Sequence, residues 1–71
     1  MKLLAIIVTE HNHMIIARAI VADGFETCVY RRIGGDLLTD ATERRKVVEA
    51  LAEDLQSLEI DCTDEDVERA L

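Results

Sequence analysis

From Asp40 to Glu59 the chain reads DATERRKVVEALAEDLQSLE, with apolar residues Val47, Val48, Leu51, Leu55 and Leu58 at spacings of three and four. That period places them along one stripe of a helix. Asp40 is a good N-cap, and Glu43 three residues on makes the pair resemble a capping box, with Thr39 a competing cap. The interior lacks Gly and Pro and is rich in Ala, Leu, Glu and Arg. Twenty residues rise roughly 30 Å, enough to cross a small sheet.

Upstream the pattern changes. Lys2 to Thr9 is almost continuously apolar and contains Ile6, Ile7 and Val8, which favour a strand over 2–9. Glu10-His11-Asn12-His13 interrupts it, and Met14 to Ala22 resumes as a second strand over 14–22. Asp23-Gly24 is a strong hairpin signal, leading to a third strand over 25–33 that Gly34-Gly35 ends. A short helix over 64–71 is predicted behind a Thr63 cap, with Asp66 in the capping-box position and Val67, Ala70 and Leu71 as its apolar residues. The order β-β-β-α-α predicts a single α+β domain over 1–71: a three-stranded antiparallel meander packed on one long helix, with a short acidic helix at the end.

Two-residue turns at His11-Asn12 and Asp23-Gly24 predict a register. Val8 then faces Ile15, Ile6 faces Ala17 and Leu4 faces Ala19; in the second hairpin Ala22 faces Phe25, Ala19 faces Cys28 and Ala17 faces Tyr30. Side-chain alternation collects Leu4, Ile6, Val8, Ile15, Ala17, Ala19, Val21, Cys28 and Tyr30 on one face. Its small centre of Ala17, Ala19 and Cys28 suits the stripe of the long helix. The opposite face holds Leu3, Ile7, Ile16, Ile20, Phe25 and Val29, with Ala5, Met14, Arg18, Thr27 and Arg31. One helix covers only one side of such a sheet, and this second face is too apolar to stand open to water. A second copy, a different protein or the C-terminal helix is expected to cover it, and a homodimer is the preferred expectation.

Composition sharpens this picture. The chain has 71 residues, no Trp, one Phe and one Tyr, so the core is aliphatic and small. Two cysteines, Cys28 and Cys62, are too few for a disulfide framework and suit a reducing compartment. The apolar opening MKLLAIIV is too short to span a membrane and lacks a signal-cleavage pattern, so a cytoplasmic chain without a membrane partner is expected. The net charge is −7, and from Glu49 to Leu71 nine acids face one base, whereas the first 48 residues hold six acids and seven bases. The negative charge is therefore concentrated in the last third, which argues against direct nucleic-acid binding through a broad basic surface.

No catalytic constellation is readable, and neither a cofactor nor a metal is expected. The letters His-Asn-His at 11–13 resemble the name of a nuclease family whose residues lie far apart in sequence; here they are contiguous and carry no such site. His11 and His13 with Glu10 form a two-imidazole, one-carboxylate set suited in principle to zinc, weighed against a plain polar hairpin tip, which is preferred. The only serine is Ser57, Gly34-Gly35 is too short to cradle a phosphate, and the run Asp61 to Asp66 lacks the Gly and terminal Glu of a calcium loop. Arg18, Arg31, Arg32, Arg44, Arg45 and Lys46 make a thin basic end without aromatic platforms, read as rim charge or as partners for a second subunit.

The acidic third remains. Arg44, Arg45 and Lys46 early in the helix and Glu49, Glu53, Asp54 and Glu59 later oppose the helix dipole, which suggests that these charges serve something other than helix stability. Carboxylates at intervals along a rigid helix can occupy a basic groove that otherwise holds a phosphate backbone. The expected function is a non-enzymatic inhibitor or adaptor that places Glu49, Glu53, Asp54, Glu59, Asp61, Asp64, Glu65 and Asp66 against a larger basic protein or ribonucleoprotein. The chain resembles in type the small acidic inhibitors that phages and mobile elements direct at host machinery, anti-CRISPR proteins among them. The alternative is a homodimeric structural module whose apolar sheet face is its whole function.

Overall fold

The computed structural model describes residues 2–12, 14–22, 24 and 41–71, together with the backbone of 26–32. The architecture is α+β, as expected. Strands β1 (Leu3–His11), β2 (Met14–Val21) and β3 (Glu26–Arg32) precede helices α1 (Ala41–Ser57) and α2 (Asp64–Ala70). The strands form one antiparallel sheet of order β1-β2-β3. Asp40, Thr39 and Gly34-Gly35 lie outside the described residues, so the expected start of the long helix does too.

Both helices lie on one side of the sheet. α1 packs on β2 and β3, and α2 packs on β1 and touches α1. Ile15, Ala17, Ala19 and Val21 of β2 are buried beneath Val47, Val48, Leu51 and Leu55 of α1. The small alanines let the helix approach closely, as the alternation of β2 predicts. Val67 of α2 joins the same core, with Leu3, Ile6, Val8, Cys62 and Ala70 packed around it.

Four features of the sequence reading are corrected. In the first hairpin His11 pairs with Met14 and Val8 with Ala17, two residues away from the expected Val8–Ile15 pairing. The connection falls at positions 12 and 13, with Asn12 at φ 49°. A two-residue shift preserves the alternation, so the faces of β1 and β2 survive it.

The second hairpin differs by one residue, which does not preserve it. Ala19 pairs with Thr27, Arg18 with Cys28 and Ala17 with Val29. These pairs are centred on position 23, so the connection has an odd length instead of two residues. Gly24 explains this: its N–H donates to the Val21 carbonyl at 3.0 Å and its φ is +87°. Three-residue hairpin loops use a glycine in that left-handed region. Cys28 and Tyr30 therefore stand opposite Arg18 and Ile16 instead of the alanines, and Val29 takes the register position beside buried Ala17.

The third correction lies at the start of β1. The register shifts between Leu3, which pairs with Val21, and Ala5, which pairs with Ile20, so Leu4 is the extra residue of a bulge. Leu3 consequently packs against the core while Leu4 is 59% exposed, the reverse of the expected placement.

The fourth concerns the end of α1. The helix stops at Ser57 instead of Glu59, and Leu58 is 46% exposed instead of closing the apolar stripe. Glu59 adopts φ 61°, its N–H donates to the Gln56 carbonyl at 3.0 Å, and the Ile60 N–H donates to the Leu55 carbonyl at 2.9 Å. This is a Schellman cap with glutamate in the left-handed position. Reversal of the chain drops Ile60 onto Leu55, both fully buried, and Ile60 fills the place that periodicity assigns to Leu58.

Candidate interaction surfaces

The capping box of α2 forms on the residues read from the sequence. The Asp66 N–H donates to Thr63 Oγ1 at 3.2 Å, and the Thr63 N–H donates to Asp66 Oδ2 at 3.0 Å. The Thr63 N–H and, at 3.1 Å, the Thr63 hydroxyl both donate to Asp66 Oδ2 and hold the Asp66 carboxyl below the usual carboxylate range, with Arg69 a smaller contributor. Asp66 is thus committed to the cap and is only half exposed.

The other seven acids expected at a partner surface are exposed, and the fold sorts them into separate groups. Glu49 and Glu53, four residues apart on α1, share a groove of ≈ 350 Å³ with Asp64 and Glu68 of α2. Its floor is apolar, made by Ala52 and Val67, and Gln56 and Arg45 complete the lining. Arg45 Nη1 and Nη2 donate to the two Glu68 carboxylate oxygens at 2.8 and 3.2 Å, a bidentate pair across the helices. The pair raises the Arg45 pKa and lowers that of Glu68, chiefly through the hydrogen bond.

Asp61 stands with Asp66 near Lys2, Leu3, Thr63 and Arg69 at the start of β1, where Lys2 and Asp61 form an isolated parallel bridge. Glu65 accepts a bond from Arg69 at 3.1 Å. Asp54 and Glu59 are exposed but do not line the groove. Of the eight acids read from the sequence, the groove unites Glu49, Glu53 and Asp64.

Glu68 is the groove residue that sequence reasoning passed over. It lies 23 residues from Arg45, and no periodicity links positions so far apart; the basic Arg44-Arg45-Lys46 run suggested rim charge or an intersubunit pair instead. Only the packing of α2 beside α1 brings them together.

The second surface is the side of the sheet away from the helices. Ile7 is 41% exposed, and Ile16 and Ile20 are half-buried. The cross-strand pairs Ala5–Ile20, Ile7–Arg18, Thr9–Ile16 and His11–Met14 bring these residues together. Of the residues expected here, Leu3 belongs to the core side, Val29 has the register of the covered face, and Phe25 lies outside the described residues. α2 lies beside α1, so among the described residues no element covers this face.

Cys62 is a half-buried free thiol whose pKa burial pushes up, with Asp66 and Asp64 adding to the effect. Among the described residues no three His, Cys, Asp or Glu side chains come together as a metal cluster, and His13 lies outside that set. The Asn12 amide nitrogen lies 3.1 Å from His11 Nε2 at the exposed hairpin tip. Among the described residues no helix is long and apolar enough to cross a membrane. Comparison with protein families, with curated proteins and with solved structures returned no match to this chain.

Proposed function

We propose that the protein is a non-enzymatic interaction protein that offers the acidic groove between α1 and α2 to the basic surface of a larger nucleic-acid-handling protein. The observation that carries this reading is the convergence of Glu49, Glu53 and Asp64 on an apolar floor of Ala52 and Val67. An arginine or lysine side chain suits such a groove, with its aliphatic stem on the floor and its charged head among the carboxylates. Packing of the two helices fixes the backbone positions of these carboxylates, so that binding orders only their side chains, and their charge steers a basic partner electrostatically. The role is that of an inhibitor or adaptor, with phage-type inhibitors of host defence, such as anti-CRISPR proteins, as the favoured example.

The test is affinity capture from host lysate with the wild-type chain and with a Glu49→Lys, Glu53→Lys, Asp64→Lys triple variant, followed by identification and titration of the captured protein. Loss of binding in the variant, a steep salt dependence and competition by nucleic acid support the proposal. Unchanged affinity and salt dependence refute it. The second reading, a homodimeric structural module without a nucleic-acid-related partner, is favoured by the uncovered face around Ile7, Ile16 and Ile20.

A further inference from the structure

We infer that two copies of this chain pack through their open sheet faces, Ile7, Ile16 and Ile20 against their symmetry mates, leaving the two helical layers outermost. The first argument is the distribution of charge. Two chains of net charge −7 repel, so they meet most readily where carboxylates are fewest. The β1–β2 part of this face carries Ala5, Ile7, Thr9, His11, Met14, Ile16, Arg18 and Ile20 and no acid. Glu10, the one carboxylate on these two strands, pairs with buried Ile15 and so belongs to the register of the other side. On β3 the register positions of the open face begin at Glu26 and end at Arg32, one acid and one base at opposite ends, which adds no net charge. The groove acids Glu49, Glu53, Asp64 and Glu68 stand on the helical layer across the sheet. Arg18 already has an interaction within its own chain, so pairing two faces does not bring together two unpartnered cations.

The second argument is area. Strands of nine, eight and seven residues form this sheet. A three-stranded sheet of that length has a footprint of about 26 by 14 Å. Such a face projects about 360 Å² per copy, so two faces in contact bury under about 1,000 Å² in total, the size of a weak and reversible interface. A reversible dimer follows, with the sheets aligned as in a β-sandwich about 10 Å apart. The dimer displays two acidic grooves on opposite outer surfaces, but its formation does not depend on what those grooves bind.

Sedimentation equilibrium across about 5 to 500 µM spans the affinity expected of an interface this small. The wild type is expected to move from monomer to dimer in this range, and to do so at lower concentration as salt screens the net charge. Ile16→Glu and Ile7→Glu each place a carboxylate in the contact and are expected to weaken the dimer by about 100-fold. Leu58→Glu, an exposed apolar residue of the helical layer, leaves it intact. Circular dichroism and a thermal melt check folding, and Ile7, the more exposed of the two, keeps the test valid if Ile16→Glu unfolds the chain. A monomer throughout the range overturns the inference. So does a dimer that survives Ile7→Glu with its fold intact, because association then uses another surface. Binding of a different protein to a chain that stays monomeric overturns it as well.

Discussion

Arg45 on α1 and Glu68 on α2, 23 residues apart in the chain, form a bidentate pair at 2.8 and 3.2 Å. It stands at one end of the acidic groove and ties the C-terminal helix to the long one. Both side chains are substantially exposed, 47% and 60%, so water and salt screen the attraction and its stabilising effect is small.

The pair has a pH signature. Glu68 titrates below its ordinary value of 4.5 in the folded chain, mainly because its ionised form accepts the Arg45 hydrogen bonds. Its contribution to stability is therefore present above pH 4.5 and is lost as pH falls through the depressed folded value. Arg45→Met is expected to return the Glu68 pKa toward 4.5 in a carboxyl-detected NMR titration, with little change in the thermal midpoint at neutral pH. An unchanged Glu68 titration in this variant would show that the pair does not persist in solution.

Glu59 holds a left-handed conformation at φ 61° that glycine adopts without steric cost. Glu59→Gly is expected to stabilise the chain by about 1 kcal/mol, reduced by the extra freedom glycine has when unfolded. A raised midpoint in denaturant confirms this, and Glu59→Ala supplies the comparison because alanine keeps the strain.

Ile60 and Leu58 separate burial from sequence pattern. Ile60 is 1% exposed, and its truncation to alanine is expected to cost about 2 to 5 kcal/mol, comparable to the whole stability of a domain this small. Leu58→Ala, at a residue 46% exposed, is expected to cost under about 1 kcal/mol. Equal costs in chemical denaturation would contradict the Schellman geometry.

Ala17 and Ala19 are fully buried where α1 crosses the sheet. Ala17→Leu forces extra methyl groups beneath the helix and is expected to cost about 1 to 3 kcal/mol. Ala22→Leu, at an exposed position beside the second turn, serves as the control and leaves the melt nearly unchanged.

The features legible in the sequence are local ones. The α+β class, the Val47, Val48, Leu51 and Leu55 stripe and the Thr63–Asp66 cap follow from periodicity and capping chemistry, which act within a few residues. The alternation of β2 marked Ile15, Ala17, Ala19 and Val21 as one face, and they are buried together. The concentration of acids from Glu49 onward was also legible, because charge needs no fold to be counted.

How these pieces meet is settled by contacts distant in the chain and by single backbone conformations. One glycine at φ +87° set the length of the second hairpin and slipped β3 by one residue, and a slip of one exchanges faces. The bulge at Leu4 and the left-handed Glu59 are single-residue backbone choices that no periodicity records, yet they decide whether Leu3 or Leu4 and Ile60 or Leu58 is buried. The groove needed α2 to lie beside α1 instead of across the open face, which depends on burying Val67 in the core that Leu51 and Leu55 also share. Local free energies of about 1 kcal/mol choose the elements, but burial summed over many residues far apart in the chain chooses their arrangement.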